Sequence, residues 1–274
     1  MPSYLVLANE TIAGAKLLDL IRDLGKDGNA RFHVVVPLTR PRHGNVIYDE
    51  AVRDGAQVRV DLALAFMKDE GIDGTGEVGD QDPFNAVMDV LRERRIDEII
   101  VSTLPASSSG WLRRDLIERL EEASGRPVHH IVQDISSAEE LPFDVTLVLA
   151  NQTVAGAQLE RKLEELAEER PHRFIVVVPQ DSGDGLAARA ARERLRTLLD
   201  DLRSERIVVA GHIGDPDPFT AAMNAVQYFH ISEIVISTLP RDESKWVADK
   251  LLERVESATG KPVIHVEQAA EAAA

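Results

Sequence analysis

The 274-residue chain contains no cysteine, which excludes disulfides, thiolate nucleophiles and thiolate metal sites. Basic residues are in deficit, with 31 Lys and Arg against 47 Asp and Glu and a formal charge of −16. That balance opposes nucleic-acid and anionic-membrane partners, both of which need a basic face. It does not exclude a small anionic ligand held by a helix N-terminus. No apolar run approaches the roughly 18 residues of a membrane span. No Walker loop, nucleophile elbow, zincin helix or GxGxxG turn is present, so the sequence offers no catalytic set and the expectation is a protein that is not an enzyme. Met1-Pro2-Ser3-Tyr4 carries no basic stretch, and cytoplasmic localisation is the expectation.

What is present is a duplication. Leu5-Val6-Leu7-Ala8-Asn9-Glu10-Thr11-Ile12-Ala13-Gly14-Ala15 returns as Leu147-Val148-Leu149-Ala150-Asn151-Gln152-Thr153-Val154-Ala155-Gly156-Ala157, an offset of 149 − 7 = 142. Gly79-Asp80-Gln81-Asp82-Pro83-Phe84 returns as Gly214-Asp215-Pro216-Asp217-Pro218-Phe219, an offset of 214 − 79 = 135. The second offset persists through Ser102-Thr103-Leu104-Pro105 and Ser237-Thr238-Leu239-Pro240, Trp111 and Trp246, and Gly125 and Gly260. Solenoid repeats run about 20–50 residues, so this spacing means two whole domains, placed at 1–135 and 144–270. Polar Gln133 to Asp144 reads as the linker, and the residues from Glu267 onward read as a frayed tail.

Each half reads as alternating strand and helix. In the first, Tyr4–Ala8, Phe32–Val36, Thr75–Val78, Glu98–Ser102 and Val128–Val132 are strands, the apolar ones suited to burial on both faces. A helix carrying Ala13, Leu17, Leu20, Ile21 and Leu24 on one face follows the first strand and stops at Gly25. Helices over Asn45 to Lys68, from Asp82-Pro83 to Arg94, and over Leu112–Ala123 complete the set, the third opening on an Asp N-cap with Pro at its first position. The second half shortens its second helix to Leu186–Arg203. Alternation of this kind implies parallel strands with right-handed crossovers, hence an open α/β sheet covered on both faces in each half.

In such a sheet ligands sit beyond the carboxyl ends of the strands, where the strand order reverses. After strand one, Asn9 and Thr11 (Asn151 and Thr153 in the second half) suit a helix cap or an anion site. After strand two, Arg40-Pro41-Arg42-His43-Gly44 is a short basic loop, whereas its counterpart Gln180-Asp181-Ser182-Gly183-Asp184-Gly185 is not. After strand four, Ala106-Ser107-Ser108-Ser109-Gly110 is small and hydroxyl-rich, whereas Arg241-Asp242-Glu243-Ser244-Lys245 holds two carboxylates that would repel phosphate. The better candidate for an anionic ligand is therefore the first half, with Ala8, Asn9, Thr11, Val36, Arg40, Ser102, Thr103, Ser107, Ser108 and Ser109 as the candidate site residues. Asp80 with Asp82, and Asp215 with Asp217, have the look of a Mg²⁺ pair, but an Asx turn followed by an N-cap accounts for them without metal. His130 and His265 recur as a pair. His129 points to the opposite face of its strand, so it cannot chelate an ion together with His130. Trp111 and Trp246 read as packing anchors.

The element order, with Gly79-Asp80-Gln81-Asp82-Pro83 leading into the third helix and Asp97-Glu98-Ile99-Ile100-Val101-Ser102-Thr103 leading out, resembles the universal stress protein family, in both halves. The resemblance implies a tandem of doubly wound, five-stranded parallel sheets in the order 3-2-1-4-5, Rossmann-like and akin to the adenine nucleotide α-hydrolase scaffold. It also implies pairing of the two domains and a homodimer through strand five. Members that bind ATP carry an Asp at the end of strand one and the pattern G-x2-G-x9-G-[S/T] after strand four. The fixed positions of that pattern fall on Ser102, Pro105, Asp115 and Leu116, and on Ser237, Pro240, Lys250 and Leu251, so every glycine is replaced. Asn9 and Asn151 stand in place of the Asp. Without glycine the backbone amides cannot approach phosphate closely, and proline removes one of them. The expected ligand is therefore AMP or adenosine rather than ATP, bound by a stress-response module without catalysis. The alternative is a ligand-free structural or partner-binding module. A hydrolase on the same scaffold would need a phosphate loop that is absent.

Overall fold

The computed structural model describes residues 1–39, 49–105, 115–133, 143–151, 156–179, 185–204, 207–229 and 231–268. Arg40, Ser107, Ser108, Ser109, Trp111 and the basic loop after the second strand lie outside them. The first half runs β1 (Ser3–Leu7), α1 (Ala15–Gly25), β2 (Arg31–Pro37), α2 (Asp49–Asp69), β3 (Asp73–Gly79), α3 (Pro83–Glu93), β4 (Glu98–Thr103), α4 (Leu116–Ser124) and β5 (Val128–Val132). The second runs β6 (Asp144–Leu149), α5 (Ala157–Glu169), β7 (His172–Pro179), α6 (Gly185–Ser204), β8 (Val209–Gly214), α7 (Pro218–Tyr228), β9 (Glu233–Thr238), α8 (Lys245–Ala248), α9 (Leu251–Thr259) and β10 (Val263–Glu267). Both sheets are wholly parallel, in the orders β3-β2-β1-β4-β5 and β8-β7-β6-β9-β10. The expected doubly wound α/β architecture is therefore present twice. The chain divides into two compact units, residues 1–40 with 55–141 and residues 41–54 with 142–274.

The central strands are buried on both faces, Leu5, Val6 and Leu7 in one sheet and Leu147, Val148 and Leu149 in the other, which is why their sequences are unbroken apolar runs rather than alternating ones. On one face of the first sheet, Leu5, Leu7, Ile99 and Val101 pack against Ala86, Val87 and Val90 of α3 and Leu116 and Leu120 of α4. In the second half Val148, Phe174 and Val176 pack against Leu159 and Leu163 of α5 and Leu195, Leu198 and Leu202 of α6. The stripe of α1 turns slightly from its expected setting: Leu17, Leu18 and Ile21 are buried, while Leu20 and Leu24 are half-buried.

The repeated Gly-Asp-x-Asp-Pro-Phe segment proves to be a joint. A Cβ on Gly79 would stand 2.7 Å from the Ala86 Cβ and the Val35 Cγ2, and one on Gly214 would stand 2.6 Å from the Val177 Cγ1. The Asp80 carboxylate accepts from the Asp82 amide at 2.7 Å, and the Asp82 carboxylate caps α3 by accepting from the Phe84 amide at 2.8 Å. Asp215 and Asp217 repeat the arrangement, Asp217 accepting from the Thr220 amide at 2.9 Å. Phe84 then lies beneath the Arg119 guanidinium at 4.3 Å, and Phe219 beneath that of Arg254 at 4.5 Å, contacts that fix α3 against α4 and α7 against α9.

Two boundaries differ from the sequence reading. Gln133 was expected to open the linker, but its backbone amide donates to the Thr103 carbonyl at 3.0 Å and its side chain is buried. Gln268, expected in the frayed tail, is buried likewise, its backbone amide bonded to the Thr238 carbonyl at 2.9 Å. Polarity misled in both cases, since the amide groups find partners inside the fold.

Candidate functional site

The carboxyl ends of β1, β2 and β4 converge on the turn between β1 and α1. Of the two roles the sequence allowed Asn9 and Thr11, helix cap or anion site, capping does not occur: neither side chain caps α1. Residues 9–14 are spent in two tight turns, with the Ile12 amide on the Asn9 carbonyl and the Gly14 amide on the Thr11 carbonyl. The N-cap of α1 is Gly14, which has no side chain to offer. Asn9 turns towards the end of β2, its Nδ2 donating to the Thr39 hydroxyl at 2.5 Å. Thr11 turns towards β4, its hydroxyl donating to the Ser102 carbonyl at 3.0 Å.

The β4 side is closed by Gln133. Its Nε2 donates to the Thr11 carbonyl at 2.6 Å and to the Ser102 hydroxyl at 2.8 Å. The carboxamide lies flat on Gly14, where a Cβ would collide with its carbon, oxygen and nitrogen together. Only glycine therefore permits this packing. Gln268 does the same in the second half, with Nε2 donating to the Ser237 hydroxyl at 3.2 Å over Gly156. Thr103 is drawn into the same corner, its hydroxyl 2.9 Å from the His130 Nε2, and Thr238 pairs with His265 at 2.8 Å. Partial burial on β5 lowers the pKa of His130 below its ordinary value. His129 faces the other way, onto Glu98.

Of the expected site residues, the structure gathers Asn9 with Thr39 on the β2 side, and Thr11, Ser102 and Thr103 with Gln133 on the β4 side. Ala8 and Val36 are fully buried at the floor. Sequence reasoning missed Gln133 and Gln268, Gly14 and Gly156 as their seats, and Arg59 and Arg194. Each of these pairs recurs at one of the two offsets, so recurrence alone was a usable signal.

The two halves differ at the asparagine. In the second, Arg194 of α6 donates from Nη2 to the Asn151 Oδ1 at 3.0 Å. In the first, Arg59 occupies the matching helix position and is only 2% exposed, yet the Asn9 Oδ1 is buried without a hydrogen-bond partner. The Gln133 Oε1 is also buried and unpartnered, whereas the Gln268 Oε1 accepts from the Gln158 amide at 3.4 Å. The first crevice therefore retains two unsatisfied amide oxygens that the second has satisfied.

The αL conformation recurs where the resemblance placed glycines. Asp115 has φ 49° and Lys250 has φ 54°, each just before the helix that follows the β4 or β9 loop. Among the described residues, no group of three His, Asp or Glu side chains is placed to hold a metal ion, and no helix is long and apolar enough to cross a membrane.

Fold and crevice together define a tandem of open α/β domains whose polar residues converge at the strand-order reversal. Among solved structures, the chain is similar to a universal stress protein from Archaeoglobus fulgidus DSM 4304, at 17% identity and TM-score 0.35 over 97% of this chain and 96% of that one. It is also similar, at 7% identity and TM-score 0.24, to an adenylation, ketoreductase and pseudo-Asub multidomain structure of a keto acid-selecting NRPS module, over 97% of this chain and 26% of that one. No protein-family model and no curated protein matches the sequence.

Proposed function

We propose that the protein is a non-catalytic module of the universal stress protein type whose first half binds an adenine nucleoside or its monophosphate, adenosine or AMP rather than ATP. The observation that carries this reading is the Asn9 carboxamide, 8% exposed, with one end on Thr39 and the other unpartnered, while its twin Asn151 is satisfied by Arg194. The unpartnered oxygen is an acceptor, which suits the exocyclic amine of adenine. A buried polar group left unpaired costs about 1–3 kcal/mol, and a ligand that pairs it recovers that cost. The lost glycines and the closed β4 side argue against a triphosphate.

Thermal shift and calorimetric titration with adenosine, AMP, ADP and ATP test the reading. Adenosine and AMP are expected to stabilise the wild type, and Asn9→Ala is expected to abolish the effect while Asn151→Ala leaves it intact. No shift at millimolar ligand removes the reading. A ligand-free partner-binding module is the second reading. It is favoured by Gln133 and Gln268 filling the same corner in both halves and by the unpaired outer edges of β5 and β10 within their own sheets. Sedimentation that shows a stable dimer, together with silence to every nucleoside, would support it.

A further inference from the structure

We infer that Gln133 is an internal occupant of the anion position at the start of α1, and that it makes the first half select nucleosides over their phosphorylated forms. The inference rests on the nucleoside reading for its ligand, but its geometry stands alone. The Thr11 carbonyl can only accept, so the Gln133 nitrogen, 2.6 Å away, must be the donor, and the amide orientation is fixed. The remaining atom, Oε1, is therefore an acceptor. It is buried, unpartnered and held against Gly14, the N-cap of an eleven-residue helix that no side chain caps. The second half shows what that position does: there the Gln268 oxygen accepts from the amide of Gln158, the second residue of α5.

Free amides in the first turn of a helix are where phosphate is ordinarily received. Here the chain has put the negative end of its own carboxamide dipole in that place. A phosphate entering the β4 side would meet the Gln133 oxygen before it met the helix amides. The two Gln133 donors that might have helped it are already given to Thr11 and Ser102. Phosphate can seat there only when the Gln133 side chain has left, whereas a nucleoside on the Asn9 side needs no such displacement.

The test compares full-length wild type, Gln133→Ala and Gly14→Ala by calorimetric titration with adenosine, AMP and inorganic phosphate, with circular dichroism to confirm the fold. The two variants empty the same position by different routes, one deleting the side chain and the other evicting it, so failure of one to fold leaves the other. Both are expected to move the ratio of AMP to adenosine affinity towards AMP by roughly ten-fold, the worth of one added hydrogen bond to a charged group. Both are also expected to gain a response to phosphate that the wild type lacks. An unchanged ratio with no phosphate response overturns the inference while leaving the nucleoside reading standing. A phosphate response in the variants with no adenosine binding anywhere supports the occupation of the anion position by Gln133 and overturns both the selection of nucleosides and that reading. Silence to all three probes in every protein overturns both.

Discussion

Gly14→Ala isolates the energetics of the glutamine seat with little else disturbed. The backbone at Gly14 sits at φ −73° and ψ 139°, a conformation any L-residue adopts, so the substitution introduces no backbone strain. Its whole cost comes from the new methyl, which cannot coexist with the Gln133 carboxamide. Eviction breaks the hydrogen bonds to the Thr11 carbonyl and the Ser102 hydroxyl, at 2.6 and 2.8 Å. At roughly 0.5–1.5 kcal/mol for each, the loss is about 1–3 kcal/mol. With Gln133 already shortened to Ala, the three atoms nearest the same methyl are gone, and its effect should fall to a few tenths of a kcal/mol, where lost glycine entropy and a poorer cap nearly cancel. The quantity to measure is therefore the coupling in a double-mutant cycle, read by urea unfolding with separate probes for each half because two domains need not melt together. Coupling of about 1–3 kcal/mol is expected. The second half provides a graded control: Gly156→Ala against Gln268→Ala should couple less, because the Gln268 bonds are longer, at 3.2 and 3.4 Å. Additivity within about 0.5 kcal/mol at Gly14 would refute the reasoning.

Two further outcomes concern stability. Asp115→Gly and Lys250→Gly should each stabilise their half by about 0.5–1 kcal/mol, since both residues are held at positive φ without being glycine; chemical denaturation of the single variants checks this, and a loss of stability in both would contradict it. His33 lies buried between strands with Nδ1 2.8 Å from the Thr75 hydroxyl, and burial, reinforced by the Arg94 charge, lowers its pKa from 6.5 to about 4. The folded state thus holds His33 neutral, so its contribution is fully present above pH 6.5 and is lost as pH falls towards 4, up to about 3 kcal/mol in all. His33→Gln should flatten the pH dependence of first-half stability across that window, and an unchanged slope would remove His33 as its source.

The framework was legible in the sequence because packing writes itself into patterns that a duplication then repeats. Unbroken apolar strands, the Asp82-Pro83 cap and the shared Gly-Asp-x-Asp-Pro-Phe joint all behave as read. The corner at β4 was not legible, for a physical reason: Gln133 and Gln268 are polar, end their strands and adjoin stretches of linker-like composition, so composition sends them to solvent. What brings them inside is a set of partners remote in the chain, Thr11 being 122 residues from Gln133. For Asn9 the reading of a helix cap missed the actual partner, because local capping was weighed without the Thr39 hydroxyl thirty residues away. Arg59 and Arg194 went unread because charge on a helix ordinarily faces water.

The asymmetry between the halves is the ground on which the proposed ligand is assigned to the first. Both carry the same asparagine, the same glutamine over the same glycine and an arginine at the same helix position. In the second half the matching oxygens are satisfied, Asn151 by Arg194 and Gln268 by the Gln158 amide. In the first half neither Asn9 nor Gln133 has its oxygen paired. At about 1–3 kcal/mol for each buried unpaired group, the first crevice forgoes roughly 2–6 kcal/mol that the same scaffold recovers elsewhere in the chain. Native proteins are stable by only about 5–15 kcal/mol, so a loss of that size is not a neutral ornament. A ligand that donates to the Asn9 oxygen would return part of it, and the proposed nucleoside has such a donor in its exocyclic amine. Among the described residues the matching oxygens of the second crevice are already satisfied, and on these grounds a ligand titrated into the whole chain should bind with a stoichiometry of one rather than two.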